Sequence, residues 1–136
     1  MNLWYLDTSA AFKLLVEEAE TKALDKAILT HSPVLSSCRL LETELRRTRN
    51  KYPELSLGEL ESFLASITIF DLDHTAYRFA GLIPGKHLRS LDAIHISAAM
   101  LGGCTTMVTY DPRMAEAAEN SGLNVISPGC QRTGSA

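Results

Sequence analysis

Four acidic residues lie at strand ends or in largely apolar segments, positions that favour a functional role over that of an exposed surface charge. Asp7 ends the apolar run Leu-Trp-Tyr-Leu, and Asp111 follows a β-rich stretch that has no formal charge. Asp92 lies in the largely apolar segment LDAIHISAAML, and Glu42 lies at the edge of an apolar helix stripe. These positions make the four acids candidates for one shared site.

A cluster of these acids would be stable only around a cation. Two like charges about 4 Å apart repel by about 4 kcal/mol at an effective dielectric constant near 20. Without a cation, the cluster would therefore take up protons or open. Oxygen ligands alone suit the hard ions Mg²⁺ and Mn²⁺, whereas zinc usually recruits His or Cys. Such an ion binds substrate phosphate and lowers the pKa of an attacking water, so the predicted chemistry is metal-assisted hydrolysis of a phosphate ester.

Each acid also has an ordinary structural explanation. Asp7 can end a strand and turn the chain, and Asp111, which precedes a proline, has the sequence of a helix N-cap. Asp92 falls in a first helical turn, where the helix dipole favours an anion. Glu42 precedes Arg46 by four residues, the spacing of a helical surface ion pair. For each residue taken alone, both interpretations stay open.

A basic segment surrounds Glu42. Residues 39–51 contain five basic and two acidic residues, a net charge of +3 on a chain whose total is −3. Three arginines share the helix face of Glu42, because they are offset from it by −3, +4 and +7 residues. We predict that they bind the phosphates of a polyanion, together with two arginines near the other acids. The five are Arg39, Arg46, Arg49, Arg89 and Arg113.

Short apolar segments alternate with helical segments along the chain, which predicts a parallel sheet covered by helices on both faces. The predicted strands cover residues 3–6, 33–37, 68–72, 105–110 and 123–127. Helices are predicted between them, including residues 9–20 and 38–52. Ligands of such sheets bind at the carboxyl ends of the strands, and Asp7 and Asp111 directly follow the first and fourth strands.

Four motifs occur in order: LDTSA at the N-terminus, LLETEL on an early helix, LRSLDAIHISAA past the middle and VTYDPRMAEAAE near the end. In order and position they resemble the PIN-domain nucleases, and most of all the VapC-type toxins of bacterial toxin–antitoxin pairs. The resemblance covers residues 3–127.

The resemblance implies a three-layer α/β/α fold with a five-stranded parallel sheet, and an endoribonuclease that depends on Mg²⁺ or Mn²⁺. By motif position, the acidic site carries over to Asp7, Glu42, Asp92 and Asp111. Ser9 and Thr109 take the places of hydroxyls that support those carboxylates. The family also implies RNA as substrate, a cognate antitoxin protein that enters the acidic groove, and a homodimer. The basic run is not a family signature, so its contact with RNA is our own prediction.

Composition is that of one globular domain, with 46% hydrophobic residues in a chain of 136. We predict a nuclease domain over residues 1–128 and a mobile tail over residues 129–136. The three cysteines are odd in number and form no CxxC pair, which suits a reducing cytoplasm. Asp7 interrupts the N-terminal apolar run before a signal peptide could form. The uncharged residues 93–110 are interpreted as helix, turn and strand, so no membrane span is expected.

Two alternative functions stay open. The fold could serve a non-catalytic RNA-binding or protein-interaction module, although none of the four acids is missing. It could also serve a Mg²⁺-dependent phosphatase, but such enzymes need a second Asp two residues after the first, where this chain has Ser9. His95 follows Asp92 by three residues, and we interpret it as a buried, hydrogen-bonded side chain instead of a base or ligand.

Overall fold

The computed structural model describes residues 2–130, and residues 131–136 of the predicted tail lie outside that range. The described chain forms five strands and seven helices. In order they are β1 (Leu3–Leu6), α1 (Thr8–Leu15), α2 (Thr21–His31), β2 (Val34–Cys38), α3 (Leu40–Thr48), α4 (Leu57–Ser66), β3 (Thr68–Phe70), α5 (His74–Leu82), α6 (Ser90–Leu101), β4 (Thr106–Val108), α7 (Pro112–Asn120) and β5 (Asn124–Ile126).

The strands form one parallel sheet in the order β3-β2-β1-β4-β5, which confirms the predicted fold class. From β1 the chain adds β2 and then β3 on one side of the sheet, and it then crosses to the other side of β1 to form β4 and β5. The strand order therefore reverses between β1 and β4, and the crevice at their carboxyl ends is where such sheets bind ligands. Asp7 follows β1 at this point, and its backbone N–H donates to the carbonyl of Val108 at the end of β4 at 3.3 Å.

Helices cover both faces of the sheet. Successive side chains of a strand point to opposite faces, so the apolar residues of β1 need a packing partner on each side. In β1, Trp4 and Leu6 pack into a core with helices α1 to α4. Tyr5, between them, packs into a second core with α6 and α7. This alternation produces three layers, with both faces of β1 buried.

Side-chain caps fix where several helices begin. Ser56, Asp73 and Asp111 each cap a helix, because each side chain accepts a hydrogen bond from a backbone N–H in the first turn of that helix. The cap expected at Asp111 is thereby confirmed. Asp7 caps α1 in the same way, through the N–H of Ala10. Each cap is worth about 1 kcal/mol, and the caps at Asp7 and Asp111 also hold two acids of the predicted site in place.

The first helix is shorter than predicted. Helix α1 ends at Leu15, whereas the sequence predicted helix as far as Glu20. The hydroxyl of Thr21 donates to the carbonyl of Lys13 at 2.8 Å, the carbonyl that the N–H of residue 17 would use in a longer helix. Lys13 forms ion pairs with Glu18 and Glu20, which hold the turn between α1 and α2.

The longest described helix, α6, has 12 residues. A helix needs about 20 apolar residues to cross a bilayer. Between residues 2 and 130, no helix has the length and apolar character of a membrane span.

Candidate active site

Asp7 is held at the carboxyl end of β1 by three donors. The hydroxyl of Ser9 and the backbone N–H of Ala10 donate to its Oδ1 at 2.7 and 3.0 Å, and the hydroxyl of Thr109 donates to its Oδ2 at 2.5 Å. The side chain is 3% exposed, and this burial raises the pKa of Asp7 despite the three hydrogen bonds. A carboxylate has about four lone-pair positions, so about one remains for a further ligand.

The same two hydroxyls tie β1 to the loop that follows β4. Thr109 donates to Asp7 and accepts from the backbone N–H of Asp111 at 3.1 Å. Ser9 donates to Asp7 and accepts from the backbone N–H of Tyr110 at 2.9 Å. The residues predicted as supporting hydroxyls therefore connect the segments that carry Asp7 and Asp111.

Asp92 lies in the first turn of α6, near other negative charges. Its pKa is raised, first by partial burial and then by the charge of Asp111. Glu44 raises the pKa of Asp92 further, while Arg89 and His95 oppose the shift. Asp92 therefore interacts electrostatically with both Asp111 and Glu44, and its ionised form is less favourable here than in water. We call the region of Asp7, Glu44, Asp92 and Asp111 the acidic pocket.

Glu42 requires a correction, because its carboxylate engages the arginine side of α3. It accepts from Arg39 at 2.6 Å and from Arg46 at 3.5 Å. The hydrogen bond from Arg39 lowers the pKa of Glu42, so this carboxylate is held in its charged form. Glu42 thus makes the surface ion pairs that were the ordinary alternative for it, and it does not join the acidic pocket.

Glu44 is the acid of α3 that faces the pocket. Its Oε1 accepts from the hydroxyl of Thr8 at 2.6 Å and lies 2.5 Å from Nε2 of His95. Burial alone raises the pKa of Glu44, but the hydrogen bond and charge of His95 lower it below its ordinary value. Both bonds end on Oε1, so Oε2 has no hydrogen-bond partner among residues 2–130.

The prediction that His95 is buried and hydrogen-bonded is confirmed, since it is 1% exposed and both ring nitrogens have partners. The hydroxyl of Tyr5 lies 2.7 Å from Nδ1, and Cys38 Sγ is 3.9 Å from the same atom. Burial lowers the pKa of His95, but hydrogen bonds with Cys38 and Glu44 outweigh that effect and raise it to about 10. The raised pKa favours the charged form of the ring beside Cys38 and Glu44.

The two glutamates of α3 lie on different sides of the helix. Residues two positions apart in an α-helix are about 200° apart around its axis, so Glu42 and Glu44 lie on nearly opposite faces. Leu41 and Leu45 are fully buried but do not distinguish the two glutamates, because each glutamate is one residue from one leucine and three residues from the other. The arginine offsets put Glu42 on the solvent face with Arg39 and Arg46. They were the sequence signal that separated Glu42 from Glu44.

The five arginines predicted to bind RNA differ in how much of their donor capacity is already used. Arg39 pairs with Glu42 and Asp71, and Arg46 pairs with Glu42 and Glu61. The Nε of Arg49 donates to the carbonyl of Leu55 at 2.9 Å.

Arg89 lies near an acid of the pocket, whereas Arg113 has no acidic partner. Nε of Arg89 is 3.6 Å from Asp92 Oδ2, an electrostatic contact longer than a hydrogen bond. The guanidinium of Arg113 forms no ion pair with any residue from 2 to 130. Its backbone N–H, by contrast, donates to Asp111 at 2.9 Å.

The acidic pocket fits a hydrated hard cation. Burial raises the pKa values of Asp7 and Asp92, and the charges of Asp111 and Glu44 raise that of Asp92 further, a cost that a divalent ion would reduce. Within residues 2–130, no three His, Cys, Asp or Glu side chains converge closely enough to ligate a single ion together. Mg²⁺ retains several waters and needs only one or two carboxylates, whereas a structural zinc site needs four direct ligands. The donor set therefore suits Mg²⁺ or Mn²⁺.

Comparison with known proteins identifies the family. The PIN domain family matches residues 4–120, and the chain therefore belongs to the PIN-domain family. Its relatives include proteins named Ribonuclease VapC. VapC35 of Mycobacterium tuberculosis is 37% identical over 133 residues, which are 94% of this chain and 98% of that protein. VapC46 of the same organism is 36% identical over 126 residues, 91% of this chain and 96% of that protein. The resemblance to VapC-type proteins is thereby confirmed.

Solved structures share the fold. The M. tuberculosis toxin VapC20, described as cleaving the sarcin–ricin loop, matches with a TM-score of 0.69 at 13% identity, over 92% of this chain and 99% of that one. A toxin–antitoxin complex from Klebsiella pneumoniae also matches with a TM-score of 0.69, at 17% identity over 91% of this chain and 96% of that one. At these identities the match supports the fold alone.

Proposed function

We propose that this protein is a metal-dependent endoribonuclease that acts as the toxin of a toxin–antitoxin pair. The observation that carries the proposal is that acids from separate segments are linked: Asp92 interacts electrostatically with Asp111 and Glu44, and the hydroxyl of Thr109 bonds both Asp7 and the backbone N–H of Asp111. The four acids are Asp7, Glu44, Asp92 and Asp111. Relatives named ribonucleases, at 36–37% identity over most of the chain, support RNA as the substrate.

These four acids would hold Mg²⁺ or Mn²⁺, either directly or through water. When bound, such an ion stabilises charge on a phosphate and lowers the pKa of a water molecule. Glu44 takes the place in this site that the sequence had suggested for Glu42. Glu42 remains on the solvent face as the partner of Arg39 and Arg46.

The protein's own contribution is to hold these acids in position before substrate arrives. Thr109 and Ser9 fix Asp7, while Thr8 and His95 fix Glu44. Preorganised ligands avoid the cost of ordering side chains when the ion and the RNA bind. Asp92 and Asp111 complete the negative pocket from the starts of α6 and α7.

The partner would be an antitoxin that occupies the acidic groove, where a cationic side chain could replace the ion. A VapBC2 structure from Rickettsia felis and a toxin–antitoxin complex from Klebsiella pneumoniae, both structural neighbours, support such a partner. A homodimer is proposed as well, and exposed apolar side chains on α5 and α6, Tyr77, Leu82 and Leu101, offer it a surface. Action on RNA together with an antitoxin would take place in the cytoplasm.

The decisive experiment maps cleavage of total RNA by the purified wild-type protein and by Asp7→Asn, in Mg²⁺ and in EDTA. We expect discrete cuts only with the wild type in Mg²⁺ or Mn²⁺. Asp25→Asn is a matched control, because Asp25 is an exposed acid on α2. It should cleave like the wild type.

Cleavage in EDTA, or by Asp7→Asn at the wild-type rate, would contradict the proposed site. RNA binding without any cleavage in either metal would favour the non-catalytic alternative. Hydrolysis of small phosphate monoesters, with RNA left intact, would favour a phosphatase.

A further inference from the structure

A cavity is lined by the loop that precedes Asp92 and by the helix that follows Asp111. It has a volume of about 490 Å³ and lies between the loop of residues 83–89, which joins α5 to α6, and the outer face of α7. Its lining includes Lys86, His87, Arg113, Glu116 and Asn120. Pockets for small ligands in proteins commonly enclose about 300–1,000 Å³, so this space suits a group the size of one nucleotide.

The cavity walls belong to the two elements that carry Asp92 and Asp111. The loop leads directly into α6, whose first turn contains Asp92. Asp111 caps α7, and Arg113 is two residues beyond it on the cavity wall. A polynucleotide with one phosphate at the acidic pocket would therefore place its neighbouring nucleotide in this cavity.

The cations of the cavity are available for a ligand. Lys86 and His87 are exposed, and over residues 2–130 neither Lys86 nor Arg113 forms an ion pair with a carboxylate. The arginines of α3 differ, since Arg39 and Arg46 each bind two acids. A phosphate would have to displace those acids on α3, but it would meet unpaired charges here.

The wall of the cavity is shaped by a tight turn. Gly85 has a φ of +133°, a conformation that side chains disfavour, and a Cβ there would lie 3.3 Å from Cβ of Leu88. The N–H of Leu88 donates to the carbonyl of Gly85 at 3.1 Å. This turn presents Lys86 and His87 from its two central positions.

We propose that this cavity is the subsite for the nucleotide of single-stranded RNA that flanks the scissile phosphate. Lys86 and Arg113 bind its phosphate. Glu116 and Asn120 offer a carboxylate and an amide to the edge of its base, the groups that read unpaired bases in RNA. The inference rests on the proposed function for the identity of its ligand, and it moves the RNA path from the α3 arginines to the α5–α6 loop and α7.

Binding should be measured apart from cleavage, in an Asp7→Asn background. The probe is a short fluorescein-labelled single-stranded RNA of mixed sequence, and the readout is anisotropy in Mg²⁺ over a range of salt. Loss of one phosphate contact lowers the slope of log affinity against log salt by about one. We expect Lys86→Ala to weaken binding about fivefold to tenfold with that change in slope.

The matched control is Lys26→Ala, which removes an exposed lysine on α2 outside the cavity. It should change the affinity less than about twofold. Lys86→Glu serves as a second variant, because charge reversal should weaken binding more than truncation. Equal affinities for the Lys86 and Lys26 variants would overturn the subsite.

Base contact has its own readout. Glu116→Gln should change which base is preferred beside the bound phosphate, measured by selection from a randomised RNA pool. Crosslinking of 4-thiouridine RNA should label the peptide that contains residues 84–88. An unchanged base preference would overturn the role of Glu116, and crosslinks confined to α3 would overturn the proposed path.

The outcomes separate this inference from the proposed function. If the wild type cleaves RNA and the Lys86 variants bind RNA normally, the subsite is wrong and the nuclease stands. If the wild type cleaves nothing while Lys86 variants bind RNA weakly, the nuclease is wrong and the cavity remains an RNA-binding site.

Discussion

Nε2 of His95 lies 2.5 Å from Oε1 of Glu44, and this contact joins α6 to α3 beside the acidic pocket. The hydroxyl of Thr8 donates to the same oxygen at 2.6 Å, so two donors fix the orientation of one carboxylate. The opposite ring nitrogen of His95 is held by Tyr5 at 2.7 Å. The glutamate is therefore anchored through one oxygen, and its other oxygen is left for a ligand.

This arrangement predicts different roles for the two glutamates of α3. Glu44→Gln should lower Mg²⁺-dependent RNA cleavage by at least about a hundredfold, because it removes a charged ligand whose outer-shell partners alone are worth about 10–100-fold. Glu42→Gln should retain cleavage within about threefold, since exposed ion pairs contribute about 0–1 kcal/mol. Initial cleavage rates at saturating Mg²⁺ provide the measurement.

Each glutamate variant is the control for the other, because both make the same change on one helix. Thermal unfolding of both proteins should accompany the rates, so that loss of fold is not mistaken for loss of activity. A large loss with Glu42→Gln and none with Glu44→Gln would restore the original sequence prediction.

His95 should act on the reaction through Glu44. We expect His95→Gln to lower the cleavage rate by about 10–100-fold and to raise the Mg²⁺ concentration needed for half-maximal activity. Tyr5→Phe, which removes the hydroxyl beyond the ring, should have the smaller effect on Mg²⁺ dependence. A His95 variant that is less stable but has normal Mg²⁺ dependence would indicate a purely structural histidine.

The fold could be predicted from the sequence because the strand pattern, the helix caps and the order of elements all agreed. Uncharged strands, caps at Ser56, Asp73 and Asp111, and regular alternation all point to one parallel sheet. The choice between two glutamates lies at a finer level, since LLETEL contains two acids on nearly opposite helix faces. Motif position does not distinguish them. The contacts of Glu44 with Thr8 and His95 do, and only folding brings those residues together.

Hydrogen bonds between distant segments were also beyond the sequence. The bond from Thr109 to Asp7 spans 102 positions, and the contact of His95 with Glu44 spans 51. Likewise, the arginine stripe predicted a phosphate track from spacing alone. Whether those charges are free depends on Asp71 and Glu61, which other segments bring to them.

The His95–Glu44 pair predicts how stability depends on pH without metal. The pKa of His95 is raised from its ordinary 6.5 to about 10, so its contribution is complete below pH 6.5 and is lost as pH rises through 10. The pKa of Glu44 is lowered, so its contribution is present above its ordinary value of 4.5 and lost as pH falls.

The measurement is urea unfolding in EDTA for the wild type and for His95→Gln, at several pH values between about 6 and 10. The stability difference between the two proteins should shrink as pH rises. A difference that stays constant over this range would show that His95 gains no stabilisation from its charge.

Asp92 provides the sharpest test of the cation requirement. Its pKa is raised by burial and by the charge of Asp111, so the ionised side chain destabilises the metal-free protein at neutral pH. Asp92→Asn removes that charge with little change in shape. It should therefore raise the melting temperature in EDTA, by about 2–4 °C if the relief is about 1 kcal/mol.

Mg²⁺ should reverse the order of the two proteins. An ion that binds only the folded state stabilises it by about 2.7 kcal/mol at a hundred times its dissociation constant, so the wild type should gain melting temperature as MgCl₂ or MnCl₂ is added. Asp92→Asn should gain much less, while the exposed control Asp25→Asn should follow the wild type. A variant that melts below the wild type in EDTA yet gains equally from Mg²⁺ would mean that Asp92 neither suffers repulsion nor contributes to the ion site. The acidic pocket would then need another explanation.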